Sequence, residues 1–456
     1  MRKNSKIHPS PLYILSPGQM MVAGFGFLIL LGAVLLTSPL SSANGTSTSF
    51  IDAMFTATSA VCVTGLVVVD TSIHWSIFGK VVIILLIQVG GLGFMTLGTL
   101  VALIFGKKIN LRQRILIKEA LNQDDLSGSV KLIKKVLKYT LVIEGLGALL
   151  LSFAFIPQFG LLKGVGYSIF TSISSFCNAG FDLMGSISGE YSSIVSYYNR
   201  PLIVFTISAL IILGGIGFPV IINIVNKRHL KKLSLNSKMA LVTTAILIVG
   251  GFLMIFLGEV GHALHGMTLW EKFQVAFFQS VTTRTAGYAT IDLTQFREST
   301  LFVMIILMFI GASPASTGGG IKTTTAAVLF IAVKSFIKNE NEITVQHKRI
   351  NVFTFRKALG IFIIAISIAV LGVYLLSITQ DPKHFDILSC SFEVSSALAT
   401  VGLSLAGSYH LNGVGKVIIM VLMFAGRVGS LTIFTAFISE NKRKRVRYPE
   451  AKVLVG

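Results

Sequence analysis

The sequence predicts an all-α membrane protein built from four fused copies of one unit. Three observations carry this: an apolar composition, basic residues gathered between apolar runs, and a short motif that recurs four times. Of 456 residues, 53% are hydrophobic and only 13% charged, with a mean hydropathy of +0.78. An ordinary soluble domain carries about a quarter charged residues. The runs at 18–36, 201–225, 239–257, 300–310, 358–378 and 414–438 read as spans or parts of spans, since a helix needs roughly 20 apolar residues to cross a bilayer.

The formal net charge of +20 would also suit a nucleic-acid binder. Its distribution argues against nucleic acid. Lys and Arg gather at 2–6, 107–138, 227–238, 334–357 and in "KRKRVR" at 442–447. Cytoplasmic loops accumulate Lys and Arg, so these five segments, both termini included, are expected in the cytoplasm. Contact with anionic membrane lipids accounts for the excess charge. Cys62, Cys177 and Cys390 have no metal-ligand spacing and suggest no disulfide frame. No clear cleavage site follows the first apolar run, so that run is expected to stay as the first span.

Five cytoplasmic segments enclose four membrane blocks, each of which must leave and return. The expected order is an N-terminal segment 1–17, a first copy 18–108, a linker and second copy 109–226, a linker and third copy 227–338, a linker and fourth copy 339–441, and a basic tail 442–456. Each copy holds a long apolar helix, a shorter helix-like stretch, a polar turn with Gly, and another long apolar helix. The turns read "TATSAVCVTGL", "TSISSFCNAGF", "FQSVTTRTAGY" and "EVSSALATVGL". They align on Gly65, Gly180, Gly287 and Gly402, separated by 115, 107 and 115 residues. Ten residues before each glycine stands a phenylalanine: Phe55, Phe170, Phe277 and Phe392. Small or hydroxyl residues, including Ser59, Ser174 and Ser396, fill most places between. The helices that follow echo one another as "QVGGLGFMTLG", "ILGGIGFPVI", "FIGASPASTGGG" and "FAGRVGSLTIF". One such tripeptide means nothing, whereas four in register mark duplication.

A stretch such as 49–61 or 385–398 is too short to cross the bilayer as a helix. It must dip in and return as a non-helical segment. Irregular backbone at membrane depth persists only when buried in protein or lining a wet path. Four such segments can converge on a pseudo-fourfold pore, where their carbonyls replace a cation's hydration shell. The short helices would aim their partly negative C-terminal ends at the cavity below. Glycine permits the backbone angles that turn carbonyls to the axis. Glycines that only pack helices closely are also common in membranes, but four equivalent ones at re-entrant turns favour the pore.

At these residues the chain resembles the Trk/Ktr/HKT superfamily of potassium transporters, over about residues 18–440. Within it the match is to the membrane subunit of bacterial Ktr potassium uptake systems, because only about 17 residues precede the first copy. Thr400-Val401-Gly402 reproduces the start of the potassium-channel filter signature, and the other copies read Val63-Thr64-Gly65, Asn178-Ala179-Gly180 and Thr285-Ala286-Gly287. The resemblance implies that these twelve residues form a selectivity filter that binds K+ through backbone carbonyls. Serine in the first copy goes with sodium passage, so Gly65 implies potassium.

The resemblance also implies a gated, channel-like subunit in the bacterial plasma membrane. It would work as a homodimer on a cytosolic RCK-type ring of regulatory subunits. ATP or ADP is expected on those partners, no cofactor in this chain, and Na+ is a candidate activator. The alternative is an ion-coupled (Na+ or H+) potassium symporter of the Trk type. Secondary transporters often show inverted or twofold repeats, and four parallel copies suit a central pore better.

Asp70 and Asp292 lie five residues beyond their glycines and Asp182 two beyond. They are expected at the extracellular mouth, either raising local cation concentration or capping loops. Arg284 sits three before Gly287, where Cys62, Cys177 and Ala399 are the counterparts. Its guanidinium is expected to point behind the pore toward an acid such as Glu393. Glu144, inside the span expected at 139–155, reads as a coupling site or as a structural partner. His262 and His265 lack a third metal ligand at useful spacing.

The stretch "GASPASTGGGIKT" at 311–323 falls in the second helix of the third copy, 24 residues past Gly287. Four Gly, a Pro and a Lys are poor choices inside a buried helix, so the helix must break there, while the other copies are expected to stay mostly continuous. The resemblance makes this the family's intramembrane gating loop: a flexible plug of Gly311, Pro314, Ser316, Thr317, Gly318, Gly319, Gly320 and Lys322. Arg427 is expected to brace it through hydrogen bonds with Ser316 and Thr317. A midplane Arg costs about 2.5–3.5 kcal/mol, so it should meet backbone carbonyls or a wet cavity rather than lipid. A static kink is the plainer alternative. "GGGIKTT" lacks the glycine spacing of a phosphate-binding loop, so no ATP-hydrolysing enzyme is expected.

Overall fold

The computed structural model describes residues 17–93, 129–227, 229–340 and 342–429. The expected cytoplasmic termini and most of the first basic linker lie outside these residues.

The helices repeat in order. The first copy has α1 (Pro17–Thr37), α2 (Phe50–Cys62) and α3 (Ile77–Leu92). The second has α4 (Ser129–Phe159), α5 (Leu161–Phe176), α6 (Pro201–Gly215) and α7 (Phe218–Lys227). The third has α8 (Leu235–Glu259), α9 (Leu269–Thr282), α10 (Glu298–Phe309) and α11 (Thr323–Ile337). The fourth has α12 (Val352–Thr379), α13 (Ile387–Ala399) and α14 (Gly413–Val428). A two-stranded hairpin, β1 (Thr344–Val345) and β2 (Lys348–Arg349), stands between α11 and α12.

Helices α1, α4, α8 and α12 are long and apolar enough to cross a membrane. Each leaves large apolar side chains exposed, among them Phe27, Phe153, Leu257 and Val370, as a lipid-facing helix should. Helices α2, α5, α9 and α13 run only 13 to 16 residues. Their starts are written locally. Thr268 and Glu271 form a capping box at α9, and Asp386 accepts the Ser389 amide at α13. In α13 nearly every residue from Ser389 to Ala399 is buried. That explains the small and hydroxyl residues: the helix is packed on all sides by protein.

The second helices differ from expectation. They span only 12 to 16 residues, and the second copy is not continuous. Helices α6 and α7 meet at 94°, with Gly217 at φ +93°. The break is stabilised by the break in the third copy. Gly215 O accepts the Ser313 amide at 2.9 Å, Gly214 O accepts that of Thr317 at 3.3 Å, and Phe218 donates to Ala315 O at 3.0 Å. Each interrupted helix thus satisfies backbone groups freed in the other, as the bilayer interior requires. Helices α3 and α14 end at Gly93 and Gly429, with φ of +81° and +91°.

One hydrophobic cluster joins the copies. Phe55, Cys62, Val63 and Ile83 from the first pack with Cys177, Ala179 and Phe181 from the second and Val394, Ala397 and Met423 from the fourth. The turns that follow the short helices therefore sit in shared core.

Candidate functional site

The four turns have one backbone form. Val63, Asn178, Thr285 and Thr400 have φ of +57°, +59°, +70° and +53°, a left-handed region that side chains rarely enter. Two residues on, Gly65, Gly180, Gly287 and Gly402 are again positive, at +93°, +70°, +79° and +98°. Alternating handedness turns successive N–H groups to one side and carbonyls to the other. The N–H side is spent on the short helices. Thr64, Ala179 and Val401 each donate at 2.8 Å to the carbonyls of Ser59, Ser174 and Ser396, and Ala286 donates to Thr282 O at 3.0 Å.

Side-chain hydroxyls complete the anchoring. Ser59 and Ser396 accept the amides of Gly65 and Gly402, each at 3.0 Å. Ser174 and Thr282 instead donate at 2.7 Å to the carbonyls of Phe181 and Tyr288. In the sequence these positions looked like small filler; their recurrence in register was the signal.

The glycines close a ring. A Cβ on Gly65 would lie 2.5 Å from Ala179 O, one on Gly180 2.7 Å from Ala286 O, and one on Gly287 2.5 Å from Val401 O. Gly402 meets Thr64 O and closes the circle. The order around the ring is the order along the chain, and only hydrogen fits where each segment meets the next.

The loop 310–322 lies against this ring. Gly319 donates to Thr400 Oγ1 at 3.1 Å, and the Thr317 hydroxyl sits 3.0 Å from Asn178 Oδ1 and 3.1 Å from Phe176 O. A Cβ on Gly318 would run into Thr285, and one on Gly319 into Thr400. These glycines allow close seating rather than motion. The loop is also knit internally. Ala312 donates to Gly319 O at 3.2 Å, Ser316 Oγ to Ser313 O at 2.6 Å, and Lys322 Nζ to Gly318 O at 2.7 Å. Gly311 packs on Gly319 and Gly320, while the Pro314 carbonyl faces Gly217.

Arg427 reaches across from α14. Its guanidinium donates to the carbonyls of Thr317 and Gly90, and to Gly91 O at 3.1 Å. The expected Thr317 contact forms through the backbone. The expected Ser316 contact does not, because that hydroxyl turns back to Ser313 O.

The loop acids are engaged locally. Asp70 accepts the amides of Ser72 and Ile73 at 2.8 and 3.0 Å and that of Tyr191, from the second copy, at 3.0 Å. Exposed Asp292 accepts the Thr294 amide at 3.0 Å. Asp182 accepts the Met184 amide at 2.9 Å. Burial, reinforced by nearby Asp70, pushes its carboxyl up to about 6.

Arg284 does not pair with Glu393. The carboxylate accepts the hydroxyls of Ser404 and Ser408, which bind it to the loop beyond the fourth turn. Arg284 Nε and Nη1 are buried without a hydrogen-bond partner among the described residues. The two groups belong to different copies, and the loop hydroxyls following Gly402 are closer partners for Glu393. Glu144 is buried on α4, where it accepts Gln88 Nε2 at 3.1 Å and lies 3.9 Å from the Cys177 thiol. His262 packs 3.3 Å from Glu259, and no group of three candidate metal ligands occurs among the described residues.

A family model described as TrkH, cation transport protein, matches residues 17–446. The chain belongs to the TrkH family. It is 43% identical to the potassium/sodium uptake protein NtpJ of Enterococcus hirae, over 97% of this chain and 98% of that one. It is 39% identical to the Ktr system potassium uptake protein B of Bacillus subtilis, over 97% of each. The crystal structure of the potassium transporter TrkH from Vibrio parahaemolyticus matches the fold with a TM-score of 0.73 at 18% identity, over 96% of this chain and 87% of that one. Members of the TrkH family are membrane transporters of cations and not enzymes, which removes the hydrolase reading.

Proposed function

We propose that the chain is the potassium-translocating membrane subunit of a gated bacterial uptake system. The four turns form its selectivity filter, and the loop 311–323 is its gate. The observation that carries this reading is the closed ring of Gly65, Gly180, Gly287 and Gly402, with N–H groups turned outward and carbonyls left for the axis. Carbonyl rings of this kind exchange for a cation's hydration shell. The loop seated on Asn178, Thr285 and Thr400, and held by Arg427, obstructs the path on one side.

Relatives named as Ktr system potassium uptake proteins support potassium as the transported ion and a multi-component assembly. In this proposal the chain is a multi-pass plasma-membrane protein with both termini in the cytoplasm, working as a homodimer. An RCK-type ring carrying ATP or ADP controls the loop, membrane lipids meet the basic segments, and Na+ acts as activator. The units 18–108, 109–226, 227–338 and 339–441 each contribute one quarter of the pore.

A second reading, an ion-coupled symporter, is favoured by buried Glu144 and its contacts with Gln88 and Cys177, since an intramembrane carboxyl is a default coupling candidate. Potassium and sodium flux into liposomes carrying the purified chain, with and without Na+ or H+ gradients, separates the two. Passive K+ flux independent of both gradients supports the channel-like reading, and strict dependence on either supports the symporter.

A further inference from the structure

Among the four residues two places before the ring glycines, Asn178 alone carries an amide; its counterparts are Val63, Thr285 and Thr400. Both ends of that amide are engaged. Nδ2 donates to Arg284 O at 3.2 Å and lies 3.3 Å from Thr285 Oγ1, in the third copy. Oδ1 accepts from the Thr317 hydroxyl at 3.0 Å, in the loop. A flipped amide would set oxygen against the Arg284 carbonyl, so the donor and acceptor ends are fixed by chemistry. Asn178 has no solvent exposure, and no bulk water competes for either end.

We propose that Asn178 is a positioning residue that ties the state of the loop to the seam between the second and third ring segments, and through it to ion discrimination. This rests on the filter and gate reading above. When the loop withdraws, Thr317 leaves Oδ1 buried without its donor. A buried polar atom left unpaired is costly, so the amide turns to find another partner. Turning draws Nδ2 away from Arg284 O, two residues before Ala286, whose carbonyl faces Gly180. Val63 offers the loop no polar group. Thr400 holds Gly319 through one hydroxyl, without an amide's separate donor end. The link therefore acts on one seam of four.

The test reads K+ and Na+ flux in liposomes carrying the full chain, for wild type, Thr317→Val, Thr317→Ser, Asn178→Ser, the Thr317→Val/Asn178→Ser double variant and a deletion of 314–320. Thr317→Val is expected to raise K+ flux by roughly fivefold, the worth of about one buried hydrogen bond, and to lower the K+-over-Na+ ratio. Thr317→Ser restores both. On the Asn178→Ser background, Thr317→Val changes the ratio no further. A flux change with the ion ratio intact overturns the coupling, as do additive effects of the two substitutions on that ratio. If Asn178→Ser does not fold, the Thr317→Val and Thr317→Ser pair decides, because Thr317 lies outside the ring. If the deletion leaves K+ flux unchanged, the gate reading itself fails. If it raises flux while Thr317→Val keeps the ratio, only the coupling fails.

Discussion

Gly65 and Gly180 approach so closely that a Cβ on Gly65 would lie 3.0 Å from the Gly180 Cα. With φ at +93°, a side chain there is both crowded and in a disfavoured conformation. Backbone strain of this kind costs about 1–3 kcal/mol, relieved only if the first segment draws back from the ring. Gly65→Ser is expected to fold, since the anchors of Thr64 and Val63 on α2 remain. Its K+-over-Na+ flux ratio should fall by roughly tenfold, as about 1.4 kcal/mol suffices for that. An unchanged ratio would remove the filter assignment.

Arg427 is the longest reach in the site, joining α14 to α3 and to the loop. Hydrogen bonds to charged groups contribute about 1.5–3 kcal/mol each. Gln at this position keeps at most part of the fork and none of the charge. Arg427→Gln should weaken loop closure by about 2 kcal/mol, raising K+ flux of the chain alone by more than tenfold and blunting nucleotide control. Lys is expected to fall between, since a point charge cannot span Thr317 and the Gly90–Gly91 carbonyls together. Wild-type flux in the Gln variant would leave Arg427 as a helix brace without a part in gating.

The fourfold layout was legible because Gly65, Gly180, Gly287 and Gly402, with the phenylalanines ten residues earlier, survive duplication in register. The helix break at 310–322 was legible from Pro314 and the three glycines. The bend at Gly217 was not: "ILGGIGFPVI" resembles the unbroken copies, and the bend depends on backbone partners 98 and more residues away at Ser313, Ala315 and Thr317. The left-handed Val63, Asn178, Thr285 and Thr400 were equally hidden. No propensity favours Val or Thr there, and the anchoring by the short helices overrides it. Loop glycines suggested mobility in sequence, whereas Gly318 and Gly319 are small because Thr285 and Thr400 occupy the adjacent space.

Asp182 gives a pH signature. Its carboxyl, raised to about 6 by burial and by nearby Asp70, is charged above that value and neutral below it. If it gathers cations at the mouth, lowering external pH from about 7.5 to about 5 should reduce K+ uptake at low K+ by roughly twofold or more. Asp182→Asn should show the reduced rate throughout and lose this component of the pH profile. Unfolding does not explain such a loss. A carboxyl raised in the folded state binds its proton there first, so its contribution to stability increases as pH falls through 6 toward its ordinary range. Retention of the full pH profile in Asp182→Asn would assign the carboxylate to loop capping alone, through the Met184 amide.

Arg284 and Glu393 make opposite predictions for stability. Glu393→Ala strips the acceptor from Ser404, Ser408 and the Leu405 amide, leaving them to find new partners at about 1–3 kcal/mol. The thermal midpoint in detergent should fall clearly. Arg284 Nε and Nη1 have no such partners to lose, and replacing a buried, poorly satisfied charge by an apolar side chain of similar length is often neutral or stabilising. Arg284→Met should therefore match or exceed wild type. Were the two side chains an ion pair, each substitution would cost stability and the double variant would cost less than the sum. With the partners described above, the two effects are independent and should add within about 0.5 kcal/mol.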